Sequence, residues 1–130
     1  MILAIKTATG VAELRLLETN GQTAAEADWP ADRNLADGLL DHIAKMIKKE
    51  GLVFGDFTGL VVFKGPGSFT GLRIGITVMN TLAYALGIPI VGTESNNWQK
   101  KGLHALRNGQ NDKLVLPEYG AEARITPPKR

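Results

Sequence analysis

The sequence of 130 residues predicts a mixed α/β domain, and three observations carry that reading. Near the start, apolar and polar residues alternate at the two-residue period of half-buried strands. Farther on, Leu60-Val61-Val62-Phe63 is a continuous, largely β-branched apolar run, as in a strand covered on both faces. Helical periodicity on either side of that run places a helix between two later strands, which implies a right-handed parallel crossover. The predicted order is a three-strand meander followed by helix, strand, helix and strand in one mixed sheet.

Taken in order, Ile2 to Ile5 is a short apolar strand and Ala12 to Leu16 an alternating one. Asn20-Gly21 predicts a type I′ turn into a third strand, Thr23 to Trp29, which Pro30 closes. Asn34 is the expected N-cap of the first helix, with Asp37 in the capping-box position. Lys45, Lys48 and Lys49 suit its C-terminal dipole, and Gly51 suits the left-handed position after Glu50. The segment Lys64 to Gly71 ends the central strand. A second helix fits Thr70 to Leu86, capped by Ser68 or Thr70 and stopped by Gly87, and Ile88-Pro89-Ile90-Val91 resumes an extended run. Trp98 to Arg107 reads as a third, amphipathic helix, and Leu114-Val115-Leu116 has the composition of one more short strand. The expected division is a domain over residues 1–95 and a short helix with a polar tail over 96–130, with no second domain.

Composition narrows the class. With 44% hydrophobic and 22% charged residues the chain is ordinarily globular. It has no cysteine, so disulfides and thiolate metal sites are excluded. Met1-Ile2-Leu3-Ala4-Ile5-Lys6 lacks the pattern of a signal peptide, and no apolar run approaches the ~20 residues that cross a bilayer. A cytoplasmic location with no membrane partner is expected. A net charge of +2, spread along the chain, does not by itself argue for nucleic acid.

The most informative string runs from Phe63 to Gly75. Gly65, Pro66 and Gly67 make a tight turn at a helix N-terminus, a place suited to an anion, so Gly65, Pro66, Gly67, Ser68, Thr70, Gly71 and Arg73 form a candidate anion-binding loop. No Gly-Lys-Ser/Thr follows, and the third position of Gly65-x-Gly67-x-x-Gly falls on Thr70, so neither the Walker A nor the dinucleotide pattern is present. A plain strand-to-helix turn explains the same residues equally well. Ser68 is disfavoured as a nucleophile because His42 and His104 belong to other predicted helices.

The two long helices are broadly apolar. Leu72, Ile74, Ile76, Val78, Met79, Leu82, Ala83, Ala85 and Leu86 cover roughly 200° of the second, and Leu35, Ala36, Leu39, Leu40, Ile43, Met46 and Ile47 roughly 140° of the first. Such an arc is either sandwiched inside its own domain or left over for an interface. In so short a chain few elements remain to supply a second layer, so the interface reading leads, with the stripe that faces the partner left open. The expectation assigns Leu72, Ile76, Met79 and Ala83, with Leu35, Leu39, Ile43 and Met46, to a partner protein. It assigns Ile74, Val78, Leu82 and Ala85 to the sheet. Self-association through the same faces is expected when the partner is absent.

The string Gly65-Pro66-Gly67-Ser68-Phe69-Thr70-Gly71-Leu72-Arg73-Ile74-Gly75 resembles the signature of the TsaB (YeaZ) family of tRNA threonylcarbamoyladenosine (t6A) synthesis. The opening Ile2 to Thr9 and the stretch Ile88 to Thr93 resemble the same family. The resemblance implies an actin-like ATPase (ribonuclease H-like) domain. It also implies a non-catalytic scaffold that pairs with a TsaD-like subunit, the enzyme that modifies adenosine 37 of tRNA. ATP or ADP and a divalent metal would then be bound by that enzyme, and neither a cofactor nor a metal by this chain alone. A TsaE-like ATPase, tRNA reached through the complex, and a homodimer complete the implied partners. Lys6 stands where the family usually has an Asp, and with Lys64 it disfavours two-metal chemistry, which needs clustered carboxylates. Members usually carry a second actin-like domain. Pro117-Glu118-Tyr119 and Ile125-Thr126-Pro127 resemble the family's end, so a short form lacking that domain is expected. The alternatives are a nucleotide-binding enzyme that uses the Gly65–Gly71 loop for phosphate, and an RNA-binding module built on Lys6, Lys64, Arg73 and Lys129-Arg130. The latter lacks an aromatic stacking platform.

Overall fold

A computed structural model describes residues 1–31, 34–67 and 69–118. Its strands are β1 (Ile2–Lys6), β2 (Val11–Leu17), β3 (Thr23–Pro30), β4 (Gly59–Gly65) and β5 (Ile90–Glu94), and its helices α1 (Leu35–Lys49), α2 (Phe69–Leu86) and α3 (Trp98–Arg107). One five-stranded sheet has the order β3-β2-β1-β4-β5. β1 pairs antiparallel with β2 and parallel with β4, and β4 pairs parallel with β5, so the sheet is mixed. The expected actin-like (ribonuclease H-like) order is therefore present.

Register decides which side chains share a face. Ile5 stands opposite both Leu14 and Val62, and Leu3 opposite Leu16 and Leu60. That face carries α1 and α2. The other face, with Ala4, Val61 and Phe63, receives α3, because Gly102 of α3 lies against Val61 and Trp98 meets Phe63 edge to face at 5.9 Å. β1 and β4 are covered on both sides, which explains why their sequences are almost wholly apolar. The core also continues past the expected boundary at residue 95, since Trp98, Leu103 and Val115 are buried in it.

Several local expectations change. The β2–β3 turn is not type I′: of Asn20 and Gly21 only Gly21 has positive φ, at 94°. Gly21 N–H donates to the Glu18 carbonyl and Glu18 N–H to the Gln22 carbonyl, both at 2.8 Å, as in a type I turn closed by a glycine bulge. Asn20 acts through its side chain instead, accepting the Gln22 N–H at 2.9 Å. Asn34 precedes α1 but makes no side-chain cap bond, so the capping box with Asp37 does not form. Its ψ of 16° lies outside the extended region that an N-cap needs. α2 starts at Phe69, which puts Thr70 inside the first turn and not at the cap, and Ser68 lies outside the described residues. Leu114-Val115-Leu116 forms no strand. Among the described residues no helix is long and apolar enough to cross a membrane.

Candidate functional site

The turn from β4 into α2 is built by close approach of the chain to itself. Gly65 has φ of 140°, a region that side chains rarely enter, and its peptide to Pro66 is cis. A methyl group at Gly65 would collide with the Glu118 carbonyl, and Glu118 N–H donates to the Lys64 carbonyl at 2.7 Å. A methyl group at Gly67 would likewise collide with Ala8. One turn into α2, the buried Thr7 hydroxyl donates to the Gly71 carbonyl at 2.7 Å, and Gly75 leaves the space that the Thr7 side chain fills. The segment after β1, the glycine turn and residues near 118 thus converge. The glycines at 65, 67 and 75 are each accounted for by this chain's own packing.

Of the other loop residues expected to meet an anion, Thr70 and Arg73 are exposed on the outer side of α2. With Ile74, Thr77 and Val78 they line a groove of about 350 Å³ whose other wall includes Ala36 of α1. The groove lies between the two long helices and not over the glycines.

The structure reverses the expected division of α2. Leu72, Ile76, Met79 and Ala83 are 0–4% exposed and belong to the domain's own core, as do Leu35, Leu39, Ile43 and Met46 of α1. All eight are buried within this chain. The reason is helical phase: the contacts of Thr7 with Gly71 and Gly75 turn the Leu72–Ile76–Met79 side toward β1 and β4. The outward stripe contains Ile74, Val78, Leu82 and Ala85, the first three half-buried and Ala85 exposed, and the same two helices expose Leu40 at 48% and Tyr84 at 90%.

At the end of β1, Lys6 stands opposite Glu13 with its ammonium 4.5 Å from the centre of the Phe63 ring. The open side of β2 and β3 carries Arg15 among three carboxylates, at 2.6 Å from Asp28, 3.6 Å from Glu13 and 3.7 Å from Glu26. Burial works against the Arg15 charge, but the Asp28 hydrogen bond and the fields of all three acids outweigh it and raise its pKa. These acids are therefore tied to a fixed cation. Among the described residues no three His, Cys, Asp or Glu side chains form a cluster that could hold a metal. His42 stacks on Trp29 at 3.8 Å, and His104 lies 3.0 Å from the Asn108 amide.

One residue that the periodicity did not single out also shapes this region. The Asn80 amide donates to the Val115 carbonyl at 3.0 Å and accepts the Val115 N–H at 2.9 Å, clasping the chain after α3 onto α2. The available signal was a polar residue on a helix that is apolar over most of its circumference.

Comparison with known proteins gives concordant results. A family model described as TsaD, tRNA N6-adenosine threonylcarbamoyltransferase, matches residues 30–104. The tRNA threonylcarbamoyladenosine biosynthesis protein TsaB of Bacillus subtilis is 44% identical over 51% of this chain and 27% of its own length. The TsaB protein of Escherichia coli is 31% identical over 78% of this chain and 46% of its own. YeaZ from Pseudomonas aeruginosa superposes with a TM-score of 0.65 at 29% identity, over 72% of this chain and 43% of that one. The chain spans less than half the length of each of these relatives.

Proposed function

The chain belongs to the TsaB/YeaZ family, and from that premise we propose that it works in t6A biosynthesis as a non-catalytic subunit paired with a TsaD-like enzyme. The observation that supports pairing is the outer surface of α1 and α2. Two adjacent helices present a groove with Ala36, Ile74 and Val78 in its lining, after their inner stripes have already filled the core. A helical pair of this kind offers a surface on which a partner's helices can seat. In this reading the partner supplies the metal, the ATP or ADP and the transfer to adenosine 37, and a TsaE-like ATPase and tRNA meet this chain only within the assembly.

A non-catalytic role is supported by the end of β1, where a metal-dependent site would need an unpaired carboxylate. Lys6 occupies that position and its ammonium rests on Phe63. The rival reading, phosphate held by the glycine loop, gains no support from the geometry, since Glu118 and Ala8 already occupy the space against Gly65 and Gly67. Co-expression with the cognate TsaD-like subunit tests the proposal. The expected result is a complex that survives gel filtration and restores t6A to tRNA in cells lacking this gene. Separate elution together with unrestored t6A would contradict it. Isolated protein is expected to hydrolyse ATP at the buffer rate, and hydrolysis that disappears on Lys6→Ala would contradict the non-catalytic part.

A further inference from the structure

α3 buries Trp98, Gly102 and Leu103, and its exposed arc is basic throughout. Lys100, Lys101, His104 and Arg107 are exposed and fall within roughly 120° of one another at about 100° per residue. Between Glu94 and Asp112 the sequence holds no acid. On β2 and α1, by contrast, Arg15 sits among three carboxylates and Lys45 lies 2.9 Å from Asp41. Among the described residues none of Lys100, Lys101 and Arg107 forms an ion pair. Lys101 donates instead to the Glu94 carbonyl at 3.0 Å, and Arg107 Nε to the Thr19 carbonyl at 3.1 Å. These contacts orient the cations without neutralising them.

The Arg107 contact also ties α3 to the β2–β3 turn, beside a cleft of about 530 Å³. Lys100, Arg107, Asn20, Gln99 and Thr23 are among its lining residues, and none of those described is acidic. Cations, carboxamides and hydroxyls are the side chains that bond phosphate and sugar oxygens. Lys101 and His104 continue the stripe outside the cleft, so that the four bases span ~10 Å of helix axis. A compact anion would use the cleft and leave the rest idle. A phosphodiester backbone, which repeats its charge every few ångströms, matches the whole stripe. The exposed arc offers no aromatic ring on which unstacked bases could lie, since Trp98 is buried.

We propose that α3 and the adjoining cleft bind the phosphate and ribose backbone of a double-helical RNA stem. The choice of RNA among polyanions rests on the t6A reading, whereas the charge argument does not. α3 covers the opposite face of the sheet from α1 and α2, so the RNA stem and the protein partner do not compete for one surface.

The test titrates the isolated full chain into a labelled tRNA transcript at about 50 mM salt, where phosphate contacts of this kind give a dissociation constant of about 1–100 µM. Lys100→Gln with Lys101→Gln is expected to weaken binding about tenfold and to reduce the slope of log affinity against log salt by about two. Lys48→Gln with Lys49→Gln removes the same charge from α1 and is expected to change neither. Equal losses from the two pairs, or none from the α3 pair, would overturn the proposal. Duplex DNA and polyglutamate are expected to displace the transcript at least about tenfold less well than unlabelled tRNA. Equal displacement by DNA would overturn the assignment to RNA, and equal displacement by polyglutamate would replace it with an acidic protein surface. Offered the cognate TsaD-like subunit, the α3 double variant is expected to pair as the parent does. Selective loss of pairing would make α3 part of the protein interface and overturn the proposal. Failure of the parent to pair would count against the t6A reading, and the RNA titration would still decide this one.

Discussion

The two sides of α2 are both apolar and are put to different uses. The inner side, Leu72, Ile76, Met79 and Ala83, is fully withdrawn from water against β1 and β4. The outer side, Ile74, Val78 and Leu82, is half-covered, with Thr70, Arg73, Thr77 and Tyr84 exposed on the same surface. Hydrophobicity alone does not separate core from interface in so broad an apolar arc. What separates them is the helix's rotation, and that is fixed at its first two turns by contacts with the segment after β1.

The largest effect should come from charging the inner side. Ile76→Asp or Met79→Asp buries a carboxylate with no partner and is expected to cost about 4 kcal/mol or more, leaving no cooperative unfolding transition at room temperature. A native-like melting curve for either variant would break the comparison at its root. Next in size is the rotation itself. A methyl group at Gly75 meets the Thr7 hydroxyl, so Gly75→Ala should destabilise by about 1–3 kcal/mol in urea titration. Combining it with Thr7→Ala should recover part of that loss, because the clash and its partner are one contact.

These residues show what the sequence could and could not convey. The helix spans were legible because period and punctuation agree: α3 covers Trp98–Arg107 as expected, and α2 stops at Leu86 before Gly87, whose φ is 67°. The sheet order was legible from a meander followed by a crossover. The facing of α2 was not, since an apolar arc of roughly 200° flanked by a narrow polar strip does not say which half of the arc meets the sheet. Its orientation depends on Thr7 and Gly71, a contact across 64 residues. The Asn80 clasp spans 35 residues and follows no period. The glycine string stood out for its chemistry, yet its glycines answer to packing. The hairpin failed differently, because Asn20 served through its side chain where a positive φ was expected.

Smaller effects lie midway along α1. His42 stacks on Trp29 of β3, so His42→Ala should cost only about 0.5–1.5 kcal/mol and raise solvent quenching of Trp29 fluorescence. A loss comparable to that of Ile76→Asp would mean that α1 is anchored by this pair more than by its inner stripe. The smallest stability change is expected on the outer side. Ile74→Asp points a carboxylate into the groove and solvent, and should shift the urea midpoint by an amount equivalent to about 0.5 kcal/mol or less.

That same substitution gives the most direct test of the central claim, that the outer side of α2 is the partner surface. Calorimetric titration of the cognate TsaD-like subunit into folded Ile74→Asp protein should show binding weakened by about two powers of ten or more relative to the parent, as expected for a carboxylate desolvated without a counterpart. Parental affinity in a variant with parental stability would place the partner elsewhere on the molecule and contradict the account.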